Sequence, residues 1–274
     1  MVRTTILTGA ASGLGRAMAL GLLGAGVDVA AVDKDAALLR ELAGVAAERR
    51  LPGALQTITA DLSREDSFAA VLEAALARLG GIDALVNNAG IGQSSVRADQ
   101  RHNPIRFWEI TPEQWRRFVA VNATAPLMLA RAVVPHMIER GHGRIVTVTT
   151  SLGTMIRGGY ALYGASKAAA EAATAIMAAD LAGTGVTANV LVPGGMTDTR
   201  IIPASEVPVR HKLLRPEIMV PPLLWLLSDA AAKVTAQRFL GVHWDPSLPA
   251  EQAAERSGAP IAWTSIATMP IEPG

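Results

Sequence analysis

The sequence of 274 residues contains no cysteine, and this absence excludes disulfide bonds, thiolate metal sites and a cysteine nucleophile. Histidine is sparse as well, and the five histidines do not repeat at the short spacing of metal ligands. They occupy positions 102, 136, 142, 211 and 243. We therefore expect a chain without a metal site.

Neither sign of charge dominates, because 25 basic residues face 24 acidic ones and the net charge is +1. This balance gives no reason to expect a nucleic acid or an anionic membrane as a partner. Long apolar runs are missing too, since glycine, proline or a charge interrupts each one short of the roughly 20 residues of a membrane span. The first residues enter a β-like run without the pattern of a signal peptide. We expect a soluble, cytoplasmic protein.

What the sequence has instead is a series of apolar β-like runs that alternate with longer helical patterns. This alternation predicts an α/β fold with a doubly wound parallel sheet of about seven strands and helices on both faces. The predicted strands are 3–8, 28–32, 54–60, 83–87, 143–149, 186–192 and 237–242. No linker interrupts the pattern, so a single domain over residues 1–274 is expected.

Two helix starts carry capping signals. Ser63 predicts the N-cap of a helix that ends near residue 79, because an acidic side chain follows three residues later. Thr111 predicts a second N-cap, since proline and then glutamine follow it in the order of a capping box. That helix is expected to run to about residue 140, with a kink at Pro126.

Three segments do not fit the alternation. Residues 91–110 are polar, residues 195–222 are rich in proline, and residues 245–274 follow the last predicted strand. Long loops within a compact domain are usually functional lids or mobile segments, so 195–222 is the predicted substrate loop. The tail is expected to pack on the surface or to extend to a neighbouring subunit.

A glycine-rich turn joins the first strand to the first helix, with glycines at positions 9, 13 and 15. The backbone N–H groups of such a turn, together with the positive end of the helix, can face a pyrophosphate. The spacing G-x-x-x-G-x-G differs from that of the standard dinucleotide fingerprint. A purely structural turn is therefore the alternative.

Asp33 ends the second strand, 18 residues past Gly15. A carboxylate at this place can accept hydrogen bonds from the adenosine ribose and repel a 2′-phosphate, which favours NAD over NADP. Lys34 beside it leaves room for NADP, and a strand-end cap is the alternative role for Asp33.

Two further turns follow strands, at the edge where open α/β sheets bind ligands. Asp61 and Leu62 follow the third strand, and residues 87–90, Asn-Asn-Ala-Gly, follow the fourth. The small residues of the second turn let the backbone approach a cofactor closely. Either segment can also be only a turn.

The two tyrosines of the chain lie close together, but only Tyr163 has a lysine four residues later. On a helix, Tyr163 and Lys167 share one face. A neighbouring cation favours the phenolate and lowers the tyrosine pKa toward a range useful for acid–base catalysis. For this pair alone, a surface lysine near an ordinary tyrosine is the commoner situation.

Together these motifs make the sequence resemble the short-chain dehydrogenase/reductase family over residues 1–199. The matching positions are Thr8 to Gly15, Asp33, Asp61-Leu62, Asn87 to Gly90, Asn122, Tyr163 with Lys167, and Pro193-Gly194. The resemblance implies a Rossmann-type fold, a nicotinamide cofactor, and a homo-oligomer, either a tetramer or a dimer. It also implies a small alcohol or ketone as the substrate.

The resemblance further implies a role for each matching residue. Tyr163 would be the general acid/base, Lys167 would lower its pKa and bind the nicotinamide ribose, and Asn122 would hold a water. The implied catalytic residues are Asn122, Thr150, Tyr163 and Lys167. The implied cofactor-binding residues are Gly9, Ser12, Gly13, Leu14, Gly15, Asp33, Asp61, Leu62, Asn88, Ala89, Gly90, Tyr163, Lys167, Pro193, Gly194 and Met196.

One position departs from the family pattern. The substrate-orienting serine of the family usually lies 13 residues before the tyrosine, where this chain has Thr150. A threonine hydroxyl can donate the same hydrogen bond, although its methyl group takes up space. Ser151 is the alternative, but adjacent strand residues point to opposite faces.

The expected function is therefore NAD-dependent interconversion of a secondary alcohol and a ketone. A catalytically weak NAD-sensing protein and an epimerase or dehydratase on the same fold remain alternatives. Arg157, Arg200 and Arg210 lie in the segments expected to select the substrate. They can pair with a carboxylate or phosphate, or remain solvated.

Overall fold

The computed structural model describes residues 2–200, 202 and 210–267. Within these residues, eight strands form one sheet in the order β3-β2-β1-β4-β5-β6-β7-β8. The strands are β1 Thr4–Thr8, β2 Asp28–Asp33, β3 Leu55–Thr59, β4 Ala84–Asn87, β5 Gly143–Val148, β6 Val186–Val192, β7 Gln237–Leu240 and β8 Gly258–Pro260. Only β8 runs antiparallel to its neighbour, β7, in this part of the chain.

The doubly wound parallel sheet predicted from the sequence is confirmed, and all seven predicted strands are present. The eighth strand was not predicted, because its three residues, Gly-Ala-Pro, carry no apolar pattern. The last predicted strand also ends earlier than expected, because residues Gly241–His243 form a 3₁₀ turn.

Helices cover both faces of the sheet. They are α1 Gly13–Gly24, α2 Ala36–Glu48, α3 Ser67–Leu79, α4 Pro112–Val119, α5 Ala125–Glu139, α6 Leu152–Met155, α7 Ala161–Asp180, α8 Val220–Leu226 and α9 Ala250–Ser257. The first core cluster contains side chains of α1, α2, α8 and α9, and the second contains those of α3, α5 and α7. Neighbouring residues of β1 divide between the clusters, with Ile6 in the second and Leu7 in the first.

The strand order reverses between β1 and β4, which are neighbours in the sheet although two strands separate them in sequence. Open α/β sheets leave a crevice outside the carboxyl ends of the strands at such a switch point. The glycine-rich turn after β1 and the Asn-Asn-Ala-Gly turn after β4 therefore lie side by side.

One of the two predicted helix starts is wrong. Helix α3 begins at Ser67 with Asp66 at its N-cap, rather than at a Ser63 cap. Ser63 is bound to Asp61 instead of capping a helix. Asp61 Oδ1 accepts hydrogen bonds from the Ser63 backbone N–H at 2.9 Å and from the Ser63 hydroxyl at 2.8 Å. The Thr111 cap is present, with Gln114 returning the hydrogen bond to complete the capping box.

The predicted kink at Pro126 is replaced by a π turn. Residues Ala120–Thr124 form this turn between α4 and α5, just before the proline. A single π turn inserts an extra residue into a helix and often lies at a functional site. The sequence pattern did not predict this π turn. A second proline, Pro135, lies inside α5 and was not considered in the prediction.

The continuous helix Pro112–Glu139 is long and apolar enough to cross a membrane, judged by length and composition alone. In this fold it packs against α3 and α7, and Phe118, Leu129 and Val133 lie in the protein interior. A buried core helix meets the same criteria, so this observation is weak evidence for a span.

The tail packs on its own chain as far as it is described. After α9 it adds β8 to the sheet, and Ile261 and Ala262 then pack against Val190 and Val192 of β6. The alternative of a tail that extends to a neighbouring subunit is not needed for residues 245–267. The final residues of the predicted tail, 268–274, lie outside the described chain, as do 201 and 203–209 of the predicted substrate loop.

Candidate functional site

A cavity of about 640 Å³ opens along the carboxyl ends of the parallel strands. Its walls include nearly every residue that the sequence motifs had singled out. These are Gly9, Ser12, Gly13, Leu14, Gly15, Asp33, Asp61, Leu62, Asn88, Ala89, Gly90, Thr150, Tyr163, Lys167, Pro193, Gly194 and Met196. Asn122 is the exception, because it is fully buried behind the cavity wall.

The glycine-rich turn leaves no room for side chains. Gly9 has a φ of +62°, and a Cβ on Gly15 would lie only 1.9 Å from the Gly9 carbonyl oxygen. Ser12 is the N-cap of α1, so the positive end of this helix faces the cavity. The turn therefore forms a backbone cradle of the kind that binds phosphates.

Asn88 supports this cradle from the neighbouring strand. Its Nδ2 donates hydrogen bonds to the carbonyl oxygens of Thr8, at 2.9 Å, and Gly9, at 3.1 Å. In return, Thr8 Oγ1 accepts hydrogen bonds from the backbone N–H groups of Asn88 and Ala89, both at 3.0 Å. The side chain of Asn88 thus fixes the turn instead of reaching into the cavity.

Asp33 fixes the backbone at the end of β2 and also borders the cavity. Its carboxylate accepts hydrogen bonds from the backbone N–H groups of Ala11 and Asp35, both at 3.1 Å, and so it also ties the cradle to β2. The side chain nevertheless lines the cavity. A carboxylate has about four lone-pair positions, so acceptor capacity remains for a ligand hydroxyl.

Asp61 also lines the cavity, at the end of β3. Its pKa is lowered, chiefly by the hydrogen bonds from the backbone and side chain of Ser63. Among the described residues of the cavity wall, Asp33 and Asp61 are the only acidic ones. The two carboxylates thus mark one end of the cavity, where β2 and β3 terminate.

Tyr163 and Lys167 lie at the other end, on the first turns of α7. Lys167 is 4% exposed, and burial lowers its pKa to about 8. Its Nζ donates a hydrogen bond to the carbonyl oxygen of Val148 at 2.8 Å. The ammonium group is thereby held at the end of β5.

The pKa of Tyr163 shifts in the direction opposite to the expectation for this pair. Burial raises it, a hydrogen bond with Thr150 lowers it in part, and Tyr160 raises it slightly further. Lys167 is not among the causes of this shift. The expected lowering of the Tyr163 pKa by Lys167 is therefore not found.

The hydrogen bond to Tyr163 also distinguishes Thr150 from Ser151. The Thr150 side chain faces the phenol, whereas Ser151 lies at the N-cap of the short helix α6. Both residues line the cavity. Thr150 is thus the hydroxyl that shares the site with Tyr163.

Asn122 lies at the centre of the π turn and is 0% exposed. Its Oδ1 accepts a hydrogen bond from Ile91 N–H at 2.9 Å, and its Nδ2 donates to the Ile91 carbonyl and to Ser166 Oγ, both at 3.0 Å. A Cβ on Gly90 would lie 3.2 Å from Lys167 Nζ and 3.3 Å from Asn122 Oδ1. A side chain at position 90 would therefore crowd both polar groups, and glycine leaves the space beside them open.

Pro193 and Gly194 follow β6 and close the cavity from the far side. Gly194 has a φ of +89°, and a Cβ there would lie 2.4 Å from Val242 Cγ1. Met196, two residues on, is exposed at the cavity wall and contacts Arg101. The small residue at 194 lets the chain turn back over the opening.

Sequence reasoning missed Gln93, which lies in the polar segment 91–110. Its Nε2 donates to the Gly159 carbonyl at 2.6 Å, and its Oε1 accepts from the Tyr163 backbone N–H at 3.2 Å. Gln93 therefore holds the start of α7. Its position in an irregular segment gave no periodic signal that could have found it.

The three loop arginines have different environments. Arg157 lies over the Tyr160 ring at 5.1 Å, and both Arg157 and Arg200 line the cavity. Arg210 forms an ion pair with Asp198 instead. Arg101 and Arg117 also line the cavity and were not predicted to do so.

Among the described residues there is no group of three or more His, Cys, Asp or Glu side chains placed to hold a metal ion. The cavity does contain hydroxyls, a buried ammonium group and a backbone cradle. Such a combination suits an organic cofactor with phosphate groups and a proton-transfer step.

Comparison with known proteins agrees with this geometry. Residues 3–206 match the sequence profile described as short chain dehydrogenase. A 1-deoxy-11-beta-hydroxypentalenate dehydrogenase of Streptomyces exfoliatus is 37% identical over 214 residues, which cover 75% of this chain and 71% of the relative.

Two solved structures are similar as well. A 3-ketoacyl-(acyl-carrier-protein) reductase of Brucella melitensis, complexed with NADH, has a TM-score of 0.73 and 30% identity, with 85% of this chain and 93% of that chain covered. A putative NAD(P)-dependent gluconate 5-dehydrogenase of Beutenbergia cavernae, with bound NADP, has a TM-score of 0.76 and 33% identity. That alignment covers 87% of this chain and 94% of the other.

Proposed function

Because the chain belongs to the short-chain dehydrogenase/reductase family, we propose that it interconverts a secondary alcohol and a ketone with NAD, using Tyr163 as general acid/base. Its relatives make it an oxidoreductase of CH–OH groups that uses NAD or NADP. The observation that carries the finer proposal is the presence of Tyr163, Thr150 and Lys167 in one cavity with the backbone cradle.

The residues present fit a nicotinamide dinucleotide. The cradle at Gly9 to Gly15 would hold the pyrophosphate, since Gly9 and Gly15 carry no side chains and let the turn fold tightly at the N-terminus of α1. Asp33 would accept hydrogen bonds from the adenosine ribose, and Lys167 would donate one to the nicotinamide ribose. When bound, the cofactor supplies the hydride chemistry, and the protein supplies orientation and a proton.

Each of the polar side chains Tyr163, Thr150 and Lys167 would have a different role in the reaction. Burial keeps Tyr163 protonated at neutral pH, so it can donate a proton to a carbonyl oxygen in the reductive direction. Thr150 can donate a second hydrogen bond to the same oxygen and orient it. The buried ammonium of Lys167 favours negative charge on this side of the cavity and assists proton removal in the oxidative direction.

The preference for NAD is supported by Asp33, whose carboxylate would repel a 2′-phosphate. The adjacent Lys34 also lines the cavity and is the observation in favour of NADP. The two similar structures hold NADH in one case and NADP in the other. We place NAD first because Asp33 is fixed by two backbone hydrogen bonds.

We propose a substrate with an anionic group, because arginine side chains line the cavity. Arg157 lies over the ring of Tyr160, three residues before Tyr163, and Arg101 and Arg200 also belong to the cavity wall. Guanidinium groups recognise carboxylates through paired hydrogen bonds. Two similar proteins, the pentalenate and gluconate dehydrogenases, are named for carboxylates.

The homo-oligomer predicted from the sequence also stays a proposal, as does the cytoplasmic location. Apolar side chains are exposed on the outer helices, with Trp115 at 43%, Ile138 at 43% and Ile176 at 62%. A second copy of the chain would cover such side chains. Light scattering coupled to size exclusion measures the number of subunits.

The experiment that tests the function is a panel of secondary alcohols and hydroxy acids, assayed with NAD and NADP by the absorbance of the reduced cofactor. We expect turnover with NAD, faster for hydroxy acids than for their neutral esters, and its loss in Tyr163→Phe. Binding of NAD without turnover on any compound would favour the sensing protein. Conversion without net cofactor reduction would favour the epimerase.

A further inference from the structure

A buried carboxylate lies one helical turn beyond Lys167. Glu171 is 0% exposed, and its Oε1 accepts hydrogen bonds from Arg238 Nε at 2.8 Å and from the Ala262 backbone N–H at 3.1 Å. Its Oε2 accepts a hydrogen bond from Thr149 Oγ1 at 2.6 Å. One side chain of α7 thus contacts β7, the tail and the residue that follows β5.

The other end of the ion pair reaches the site itself. Arg238 is 5% exposed, and its Nη2 donates a hydrogen bond to the carbonyl oxygen of Thr150 at 3.1 Å. The buried pair therefore holds two consecutive residues. It holds Thr149 by the side chain and Thr150 by the backbone.

This double attachment determines which hydroxyl faces the cavity. Adjacent residues of an extended chain point to opposite sides. Because the Thr149 hydroxyl is bound inward to Glu171, the side chain of Thr150 is directed outward to Tyr163. Rotation of the segment by one residue would break the hydrogen bonds of both Thr149 and Arg238.

We infer that Glu171 and Arg238 are a positioning pair, which sets the Thr150 hydroxyl against Tyr163 and is completed by the tail at Ala262. The inference rests on the proposed function, since it assumes that Thr150 orients the substrate. It adds three positioning residues, Glu171, Arg238 and Thr149, of which Glu171 and Arg238 lie outside the cavity wall and Thr149 is part of it. It also gives the tail a role in the site of its own chain.

Stability alone is a poor explanation for this pair. A buried ion pair pays a large desolvation cost, and well-packed apolar residues are often as stabilising in its place. The same helix and strand already contain a hydroxyl contact without charge, because Thr174 Oγ1 donates to Thr147 Oγ1 at 3.0 Å. That contact is equally buried but does not reach the cavity, so it offers a matched control.

The test compares Thr149→Val with Thr174→Val in the full-length protein. Both variants lose a buried hydroxyl between α7 and β5. We expect kcat to fall about tenfold or more in Thr149→Val, because small misplacements of a reacting group are costly. The dissociation constant for NAD should stay within about twofold of the wild-type value, since the cradle lies elsewhere.

Thr174→Val should keep the wild-type kcat even where it lowers the melting temperature. Thr149→Ser restores the hydroxyl and should recover most of the lost kcat. Where Thr149→Val does not fold, the double variant Glu171→Leu/Arg238→Met makes the same test without an unpaired buried charge. The inference would be overturned if the folded Thr149→Val variant, or the double variant, had the same kcat as the wild type.

A second measurement does not depend on turnover. The chain has only two tyrosines, so labelling with ¹³Cζ-tyrosine gives two NMR signals, and Tyr160→Phe assigns them. Loss of the hydrogen bond from Thr150 should move the ionisation of Tyr163 to higher pH. We expect this shift in Thr149→Val and in Thr150→Ala, and not in Thr174→Val.

A failure of the proposed role of Thr150 can be distinguished from a failure of the inferred positioning pair. If Thr150→Ala changes neither kcat nor the ionisation of Tyr163, the role proposed for Thr150 is wrong, and the inference falls with it. If Thr150→Ala impairs both while Thr149→Val impairs neither, the proposed function stands and only the positioning pair is wrong.

Discussion

The burial of a single residue, Lys167, lowers the folding stability of this protein. Burial lowers its pKa from 10.5 to about 8, so the folded chain disfavours the ammonium form that the proposed mechanism uses. A shift of this size corresponds to a cost on the order of 3 kcal/mol near neutral pH. The rest of the core must offset that cost.

We predict that Lys167→Met abolishes activity yet raises the free energy of unfolding at pH 7. Between about pH 8 and 10.5, the unfolded wild-type chain binds a proton at this lysine that the folded chain has lost. Stability of the wild type therefore rises with pH in that window, and its deficit relative to Lys167→Met should shrink. Urea titrations from pH 7 to 10 measure this difference.

The control for that experiment is Lys233→Met, which removes an exposed lysine. It should leave the dependence of stability on pH as in the wild type. A constant difference between wild type and Lys167→Met across the range would contradict the prediction.

Asp33 supports the cradle and is also the residue to which we assign the proposed preference for NAD, so the choice of substitution matters. We predict that Asp33→Asn weakens NAD binding about tenfold but leaves NADP binding unchanged or stronger, because the amide keeps an acceptor oxygen and loses the charge. Titration of protein fluorescence with each cofactor gives the two dissociation constants.

Asp33→Ala provides the comparison, since it also removes the acceptors for Ala11 and Asp35. That variant should weaken both cofactors, but NAD far more than NADP. Equal losses for the two cofactors in both variants would show that Asp33 acts only on the turn.

At the scale of elements, sequence patterns located the site better than they located element boundaries. The motifs at positions 9–15, 33, 61 and 88–90 follow strands, and parallel strands bring their carboxyl ends to one edge. Their convergence follows from the fold class alone. Gln93 and Arg101 lie in a segment without periodicity, so their positions depend on tertiary contacts that local pattern does not encode.

The π turn illustrates a different limit. The sequence around Asn122 reads as continuous helix with a proline inside, and only side-chain hydrogen bonds to Ile91 and Ser166 reveal why a turn is inserted there. Likewise, the Ser63 cap fitted the sequence pattern, but the Ser63 hydroxyl and backbone N–H donate to Asp61 instead. Competing local hydrogen bonds decide such boundaries.

The junction between β8 and the positioning pair holds a strained residue. Ala262 has a φ of +53°, a conformation that costs a residue with a Cβ about 1–2 kcal/mol. We predict that Ala262→Gly stabilises the protein by up to about 1 kcal/mol, because relief of strain exceeds the added freedom of the unfolded chain. Thermal unfolding monitored by circular dichroism measures the change.

Arg50 supplies the comparison for that prediction, because it also has a positive φ, of 51°, but lies exposed after α2. Arg50→Gly should give a similar gain without an effect on kcat. A loss of stability in Ala262→Gly would show that the surrounding contacts do not impose the strain.

For the whole molecule, the sequence predicted the architecture because both faces of the sheet must be covered in an α/β fold. Every residue of β1 and β6 is buried, as expected for parallel strands that are covered on both faces. What the alternation could not show is how the sheet ends. The closing strand has only three residues, Gly-Ala-Pro, which are too few to show an alternating pattern, and its place depends on the tail folding back.

That closing strand has a consequence for the protein in a crowded solution. A bare β7 would present a row of unpaired backbone groups on which other chains could build a larger sheet. The three residues of β8 occupy this row, and the ring of Pro260 removes one N–H from the new border. We predict that Pro260→Val leaves kcat unchanged but increases turbidity on heating, whereas Pro246→Val, in a turn away from the sheet, does not. The tail would then act as a guard against self-association as well as a part of the fold.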